Sequence, residues 1–184
     1  MARNRMIGGF TLPNGLFTVS LIRSVQYGSI TVANTETTQT ATITAVDVTR
    51  ASLVFLGCSN NAGGAPNGQV HLALTNSTTV TATRGASSVS TTVAFCVIEY
   101  QPQVIRRVQR GTIAITAGNT TNTAAITSVN TAKSVLSWLG QSLATGDLTD
   151  GSARLTLTSA TVVTATREVN TNEMTVAYQV LEWR

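Results

Sequence analysis

From residue 24 onward the chain alternates apolar and hydroxyl-bearing side chains. Val70, Leu72 and Leu74 fall on one side of a two-residue period, with His71, Ala73 and Thr75 on the other. Val80, Ala82 and Arg84 oppose Thr79, Thr81 and Thr83 in the same way. A period of two is that of a strand with one buried face. The pattern predicts strands at 24–33, 39–47, 51–57, 68–75, 77–84 and 91–100. The stretches 34–38 and 85–90 read as turns, and 58–67, rich in Gly and Asn, as the longest loop.

The same pattern then recurs. Val25-Gln26-Tyr27-Gly28-Ser29-Ile30 returns 83 positions later as Val108-Gln109-Arg110-Gly111-Thr112-Ile113. Leu53-Val54-Phe55-Leu56-Gly57 matches Leu136-Ser137-Trp138-Leu139-Gly140 at the same offset. Val80-Thr81-Ala82-Thr83-Arg84 matches Val163-Thr164-Ala165-Thr166-Arg167, and Val97-Ile98-Glu99-Tyr100 matches Val180-Leu181-Glu182-Trp183. Of the 76 pairs from Val25 to Tyr100, 31 are identical and no gap is needed, so the chain carries a duplicated unit. Each unit is too long for one supersecondary element of a solenoid. The expected fold is all-β: two tandem small antiparallel β-sandwich modules of six strands each, after an extended N-terminal arm. The expected boundaries are 1–23 for the arm, 24–101 for the first module, 102–107 for a linker and 108–184 for the second.

The opener Val-Gln-x-Gly-x-Ile, the six strands and a last strand ending in an aromatic residue resemble the H-type lectin fold. In tandem, and rich in Thr and Val, the pattern is similar to modules of tailed-bacteriophage virion proteins. The resemblance covers residues 24–184. It implies trimers of such sandwiches that bind sugars, so three copies of this chain would gather six modules. No sugar-binding residue is carried over.

Composition narrows the picture. Charged residues make up 11% of the chain, against roughly 25% in an ordinary soluble domain. The net charge of +4 is uneven: Arg3, Arg5 and Arg23 lie in the first 23 residues, and Arg106, Arg107 and Arg110 lie in 101–110. The remaining parts of each repeat are slightly acidic. Nucleic-acid binding calls for a basic stripe across a folded face, often with exposed aromatics, and this arrangement does not supply one. Docking of the basic segments onto an acidic protein surface fits better. Lys133 is the single lysine and prolines number three, so strand edges lack the usual protection and call for covering by neighbours. A symmetric homo-oligomer is expected, with a monomer kept soluble by its hydroxyl-rich faces as the alternative.

The arm holds Met6, Ile7, Phe10, Leu12, Leu16 and Phe17 around a turn at Pro13-Asn14-Gly15. It reads as an anchor inserted into a neighbouring subunit or larger particle, or as a tail folded over its own first module. The candidate assembly residues are Arg3, Arg5, Phe10, Leu12, Leu16, Phe17, Arg106, Arg107 and Arg110. Gly8, Gly9 and Pro13 break the apolar stretch after Arg5, which argues against a signal peptide and for synthesis in a host cytoplasm. No run approaches the roughly 20 apolar residues of a membrane helix.

Candidate chemistry is sparse. His71, the single histidine, reads as an ordinary surface residue. Cys58 and Cys96 correspond to Gln141 and Gln179 in the second copy, so the shared fold does not need them. Two cysteines and one histidine give no zinc spacing. Asp147-x-x-Asp150-Gly151 reads as a turn, having too few oxygen ligands for calcium. Arg84 with Glu99, and Arg167 with Glu182, recur in both copies and suggest a sheet-spanning ion pair in each. No catalytic, cofactor or metal site is expected. The expected role is a structural component of a tailed-phage virion, of tail-fibre, collar or baseplate type. Its partners would be copies of itself and other virion proteins. A capsid decoration protein, or a glycan-binding adhesin of the H-type lectin kind, is the alternative.

Overall fold

The computed structural model describes residues 20–60, 69–87, 89–143 and 151–184. The chain is all-β. Among the described residues there are twelve strands, no α-helix, and one short 3-10 turn at Thr131–Lys133. In chain order the strands are β1 (Ile22–Val32), β2 (Thr38–Thr42), β3 (Ala51–Asn60), β4 (His71–Asn76), β5 (Thr79–Thr83) and β6 (Thr91–Tyr100). The second set is β7 (Ile105–Ile115), β8 (Thr121–Ala125), β9 (Ser134–Leu143), β10 (Arg154–Ser159), β11 (Val162–Thr166) and β12 (Met174–Trp183).

They form three antiparallel sheets, in the orders β1-β6-β3, β10-β11-β8 and β2-β5-β4-β9-β12-β7. Within the first repeat β6 is flanked by β1 and β3, and β5 by β2 and β4; within the second, β12 is flanked by β7 and β9, and β11 by β8 and β10. The duplication read from the sequence is therefore a duplication of strand pairing. The six-stranded sheet arises because β4 of the first repeat meets β9 of the second.

Equivalent side chains do the same work in both repeats. Gln26 donates to Thr44 O and accepts from Thr44 N at 2.9 and 2.7 Å. Gln109 brackets Thr127 at 2.8 and 2.7 Å. This explains the Val-Gln opener, and also corrects the expected strand 39–47. The chain leaves β5 after Thr42, its next amides bond Gln26 and the β4–β5 turn, and the ladder stops there. Gly28 and Gly111 sit under aromatic rings: a Cβ there would lie 2.4 Å from Phe95 and 2.8 Å from the Tyr178 hydroxyl, respectively.

Two core clusters result. The first collects Ile30, Leu53, Leu72, Val80 and Phe95 with their neighbours, the second Ile113, Ile115, Val163, Met174 and Val176 with theirs. Val80 and Ala82 point inward as the alternation required. The expected linker 102–107 is shorter in the structure. β7 begins at Ile105, and only 101–104 connect β6 to it, in a turn closed by Val104 N–H donating to Gln101 O at 3.0 Å. Arg23 likewise lies within β1 and not in the arm. The expected loop 58–67 starts later, since β3 runs to Asn60.

Candidate functional site

The two repeats meet at a junction between β4 and β9. β9 approaches β4 with Gly140 opposite His71. Gly140 has φ +100, and a Cβ there would lie 2.2 Å from Val70 O and 2.8 Å from His71 Cα. Only glycine permits both the left-handed backbone and this approach. The neighbouring Leu139 is 1% exposed and belongs to the first repeat's core, together with Ala177. Burying such a leucine contributes about 1.5–3 kcal/mol. Polar bonds flank it. His71 Nδ1 and Ser142 Oγ share a hydrogen bond at 3.1 Å, and Gln141 Nε2 donates to Gln69 Oε1 at 2.5 Å.

A second clamp comes from Arg110 and Gln179. Gln179 Oε1 accepts from Leu53 N–H at 3.0 Å and from Arg110 Nε at 3.0 Å. The Arg110 guanidinium donates to Val48 O at 3.0 Å and also to Ala51 O. Burial brings its pKa down to about 10, so it remains charged at neutral pH. Behind the clamp, equivalent aromatic positions meet edge to face. Phe55 and Trp138 have ring centroids 5.1 Å apart, and Tyr100 and Trp183 5.3 Å apart. Between the two pairs lies a largely apolar cleft of about 200 Å³, with Gln179 among its lining residues.

Each basic residue of 101–110 bonds an acceptor within the chain, although Arg106 stays exposed. Arg106 donates to Glu182 at 3.1 Å, Arg107 to Ser128 O at 3.2 Å, and Arg110 to the first repeat. Arg23, the equivalent of Arg106, donates to Glu99 at 2.9 Å. Arg3, Arg5, Phe10, Leu12, Leu16 and Phe17 lie outside the described residues, as do Asp147 and Asp150. The expected Arg84–Glu99 and Arg167–Glu182 pairs do not form. Arg84 instead caps Ala33, Glu36 and Val89 carbonyls, and Arg167 caps Thr116, Asn119 and Asn172 carbonyls. Glu99 and Glu182 turn to the arginines at the starts of β1 and β7. Cys58 stands opposite Val93 and Cys96 opposite Val54, so the two thiols are too far apart along the ladder to bridge. No group of three metal-ligating side chains occurs among the described residues, and none of their helices is long and apolar enough to cross a membrane.

His71 is a correction. It is buried in the junction, because β9 pairs along the edge of β4 that an isolated first repeat would show to water. Burial lowers its pKa below the ordinary 6.5. Below pH 6.5 the unfolded chain binds a proton that the folded chain excludes. Stability is therefore complete above that value and declines as the pH falls through the folded pKa. Urea midpoints measured between about pH 7.5 and about pH 5 should fall on acidification, and less steeply in His71→Gln. Equal slopes in the two proteins would show that His71 does not couple folding to pH.

The junction residues left a trace in the sequence. Arg110 and Gln179 replace Tyr27 and Cys96 within otherwise similar strands, and Gly57 and Gly140 are both kept. No protein-family model matches the chain, and no curated protein or solved structure matches it either.

Proposed function

We propose that the chain is a non-enzymatic assembly protein, a structural component of a tailed-phage virion of tail-fibre, collar or baseplate type. Each repeat is read as a β-sandwich module, its two three-stranded layers enclosing one core cluster. The modules oligomerise, with a trimer the state implied by the resemblance, and the N-terminal arm docks on other virion proteins. The observation that carries this reading is the junction: the chain uses strand edges and an inserted leucine to join like units. The buried ionisable groups support it too. Arg84, Arg167 and Glu99 are engaged in internal bonds that hold turns and strand starts, as is one oxygen of Glu182.

The experiment is sedimentation with purified particles. The full chain should co-sediment, and deletion of residues 1–19 should abolish this. The deletion stops there because Ile22 and Arg23 belong to β1. A stable monomer indifferent to particles would refute the proposal. Copy number separates the tail reading from a capsid decoration protein: few copies per particle mark the former, hundreds the latter.

The aromatic cleft at the junction favours a second reading, a glycan-binding adhesin. Phe55, Tyr100, Trp138 and Trp183 are side chains of the kind that pack on the apolar faces of sugars. Specific retention on a glycan array, lost in Trp138→Ala, would favour it.

A further inference from the structure

The junction between the repeats joins two different edges, β4 of the first and β9 of the second. Their counterparts are β10 and β3, and each is the last strand of its sheet. A contact between unlike edges of like units leaves one edge of each kind at the two ends, where further copies can match them.

Equivalent positions, 83 residues apart, differ consistently. Leu139 is buried in the first core, whereas Leu56 is 52% exposed. Gly140 is pressed against Val70. Gly57 keeps the same left-handed backbone, with φ +113, yet a Cβ there would meet nothing within 4 Å. Its conformation is that of a strand shaped to receive an edge. Arg110 reaches across to Val48 and Ala51, while Tyr27 is 76% exposed. On the other side, His71 and Leu72 are buried, but Arg154 is exposed and Leu155 only half-buried. Arg154 reaches Glu168 at 3.7 Å, a pair exposed on both sides that contributes little.

We propose that β3 of one copy docks on β10 of a second copy, repeating between chains the junction that β9 and β4 make within one. Gly57 then receives the backbone at Ala153 and Arg154 of the second copy. Leu56 enters that copy's second core cluster beside its Leu155 and Leu157. Tyr27 covers the second copy's residues 131–134, the equivalents of the segment that Arg110 caps. The contact is head to tail, so successive copies close into a ring or extend as a filament. The proposal rests on the self-association part of the function above and not on where the assembly resides.

Two measurements test it. Light scattering of the full chain should give a multiple of 19.2 kDa, and Leu56→Asp, altering an exposed side chain, should reduce it to the single-chain mass with an unchanged circular dichroism spectrum. A wild-type monomer would overturn both the edge contact and self-association. A Leu56→Asp variant that keeps the wild-type mass would overturn the edge contact alone. Ser142 and His71 touch across the internal junction, so Ser59 and Arg154 of different copies should come within disulfide reach. In a Cys58→Ser background, mixing Ser59→Cys with Arg154→Cys should give cross-linked pairs on oxidation that neither gives alone. Absence of the mixed product would overturn the proposal.

Discussion

Gly140→Val will pull β9 away from β4 and lower the unfolding free energy by about 3–5 kcal/mol. Two effects add. The residue has φ +100, a backbone that a β-branched side chain strongly disfavours. Its Cβ would also overlap the Val70 carbonyl oxygen at 2.2 Å and His71 Cα at 2.8 Å, and backbone atoms in a ladder cannot swing aside. Relief requires moving the strand, which withdraws Leu139 from the first core and breaks the His71–Ser142 bond. Gly140→Ala should fail nearly as badly, because the colliding atom is the Cβ itself. Chemical denaturation followed by tryptophan fluorescence suits the test, since Trp138 lies two residues away in β9. Separate transitions for the two repeats would accompany the loss. An unchanged midpoint would mean the strands do not approach as closely as described.

Arg84→Met and Arg167→Met should each cost about 3 kcal/mol or more. Both side chains are 2% exposed although they carry a charge. Arg84 Nε donates to Glu36 O at 2.8 Å, and its terminal nitrogens bond Ala33 and Val89 carbonyls. Arg167 does the same for Asn119 O at 3.1 Å, Thr116 O at 3.1 Å and the Asn172 carbonyl. Each guanidinium thus gathers three peptide oxygens from two turns at one end of its repeat. Methionine keeps much of the volume but leaves those acceptors buried without donors. Lysine should recover only part of the loss, because one ammonium cannot present a planar fork to three separated carbonyls. Thermal melting of the four variants would measure both effects. A methionine variant as stable as the parent would mean that water or other groups satisfy these carbonyls.

Much of the fold was legible because a strand's period of two is a local property. The alternation at 70–75 became β4, that at 80–84 became β5, and the run 91–100 became β6 with the expected bounds. The repeat also carried side-chain detail. Thr75 bonds Thr81 at 2.5 Å, and Thr158 bonds Thr164 at 2.5 Å. What misled was any inference about partners far apart in the chain. Arg84 and Glu99 recur together, yet they serve different turns. His71 alternates with apolar neighbours and reads as a surface residue, yet a strand 69 residues away pairs beside it and buries it. Arg106, Arg107 and Arg110 cluster in sequence, yet each finds its own acceptor, Glu182, Ser128 O and Val48 O.

Duplication, the all-β class and the inward set of a strand such as β5 were determined by the sequence alone, because pleat and period act over a few neighbouring residues. Which edges meet was decided only in three dimensions. Two similar units joined by unlike edges cannot place equivalent residues in equivalent surroundings. Leu139 is therefore buried where Leu56 faces water, and Arg110 is tied to a second repeat where Tyr27 is exposed.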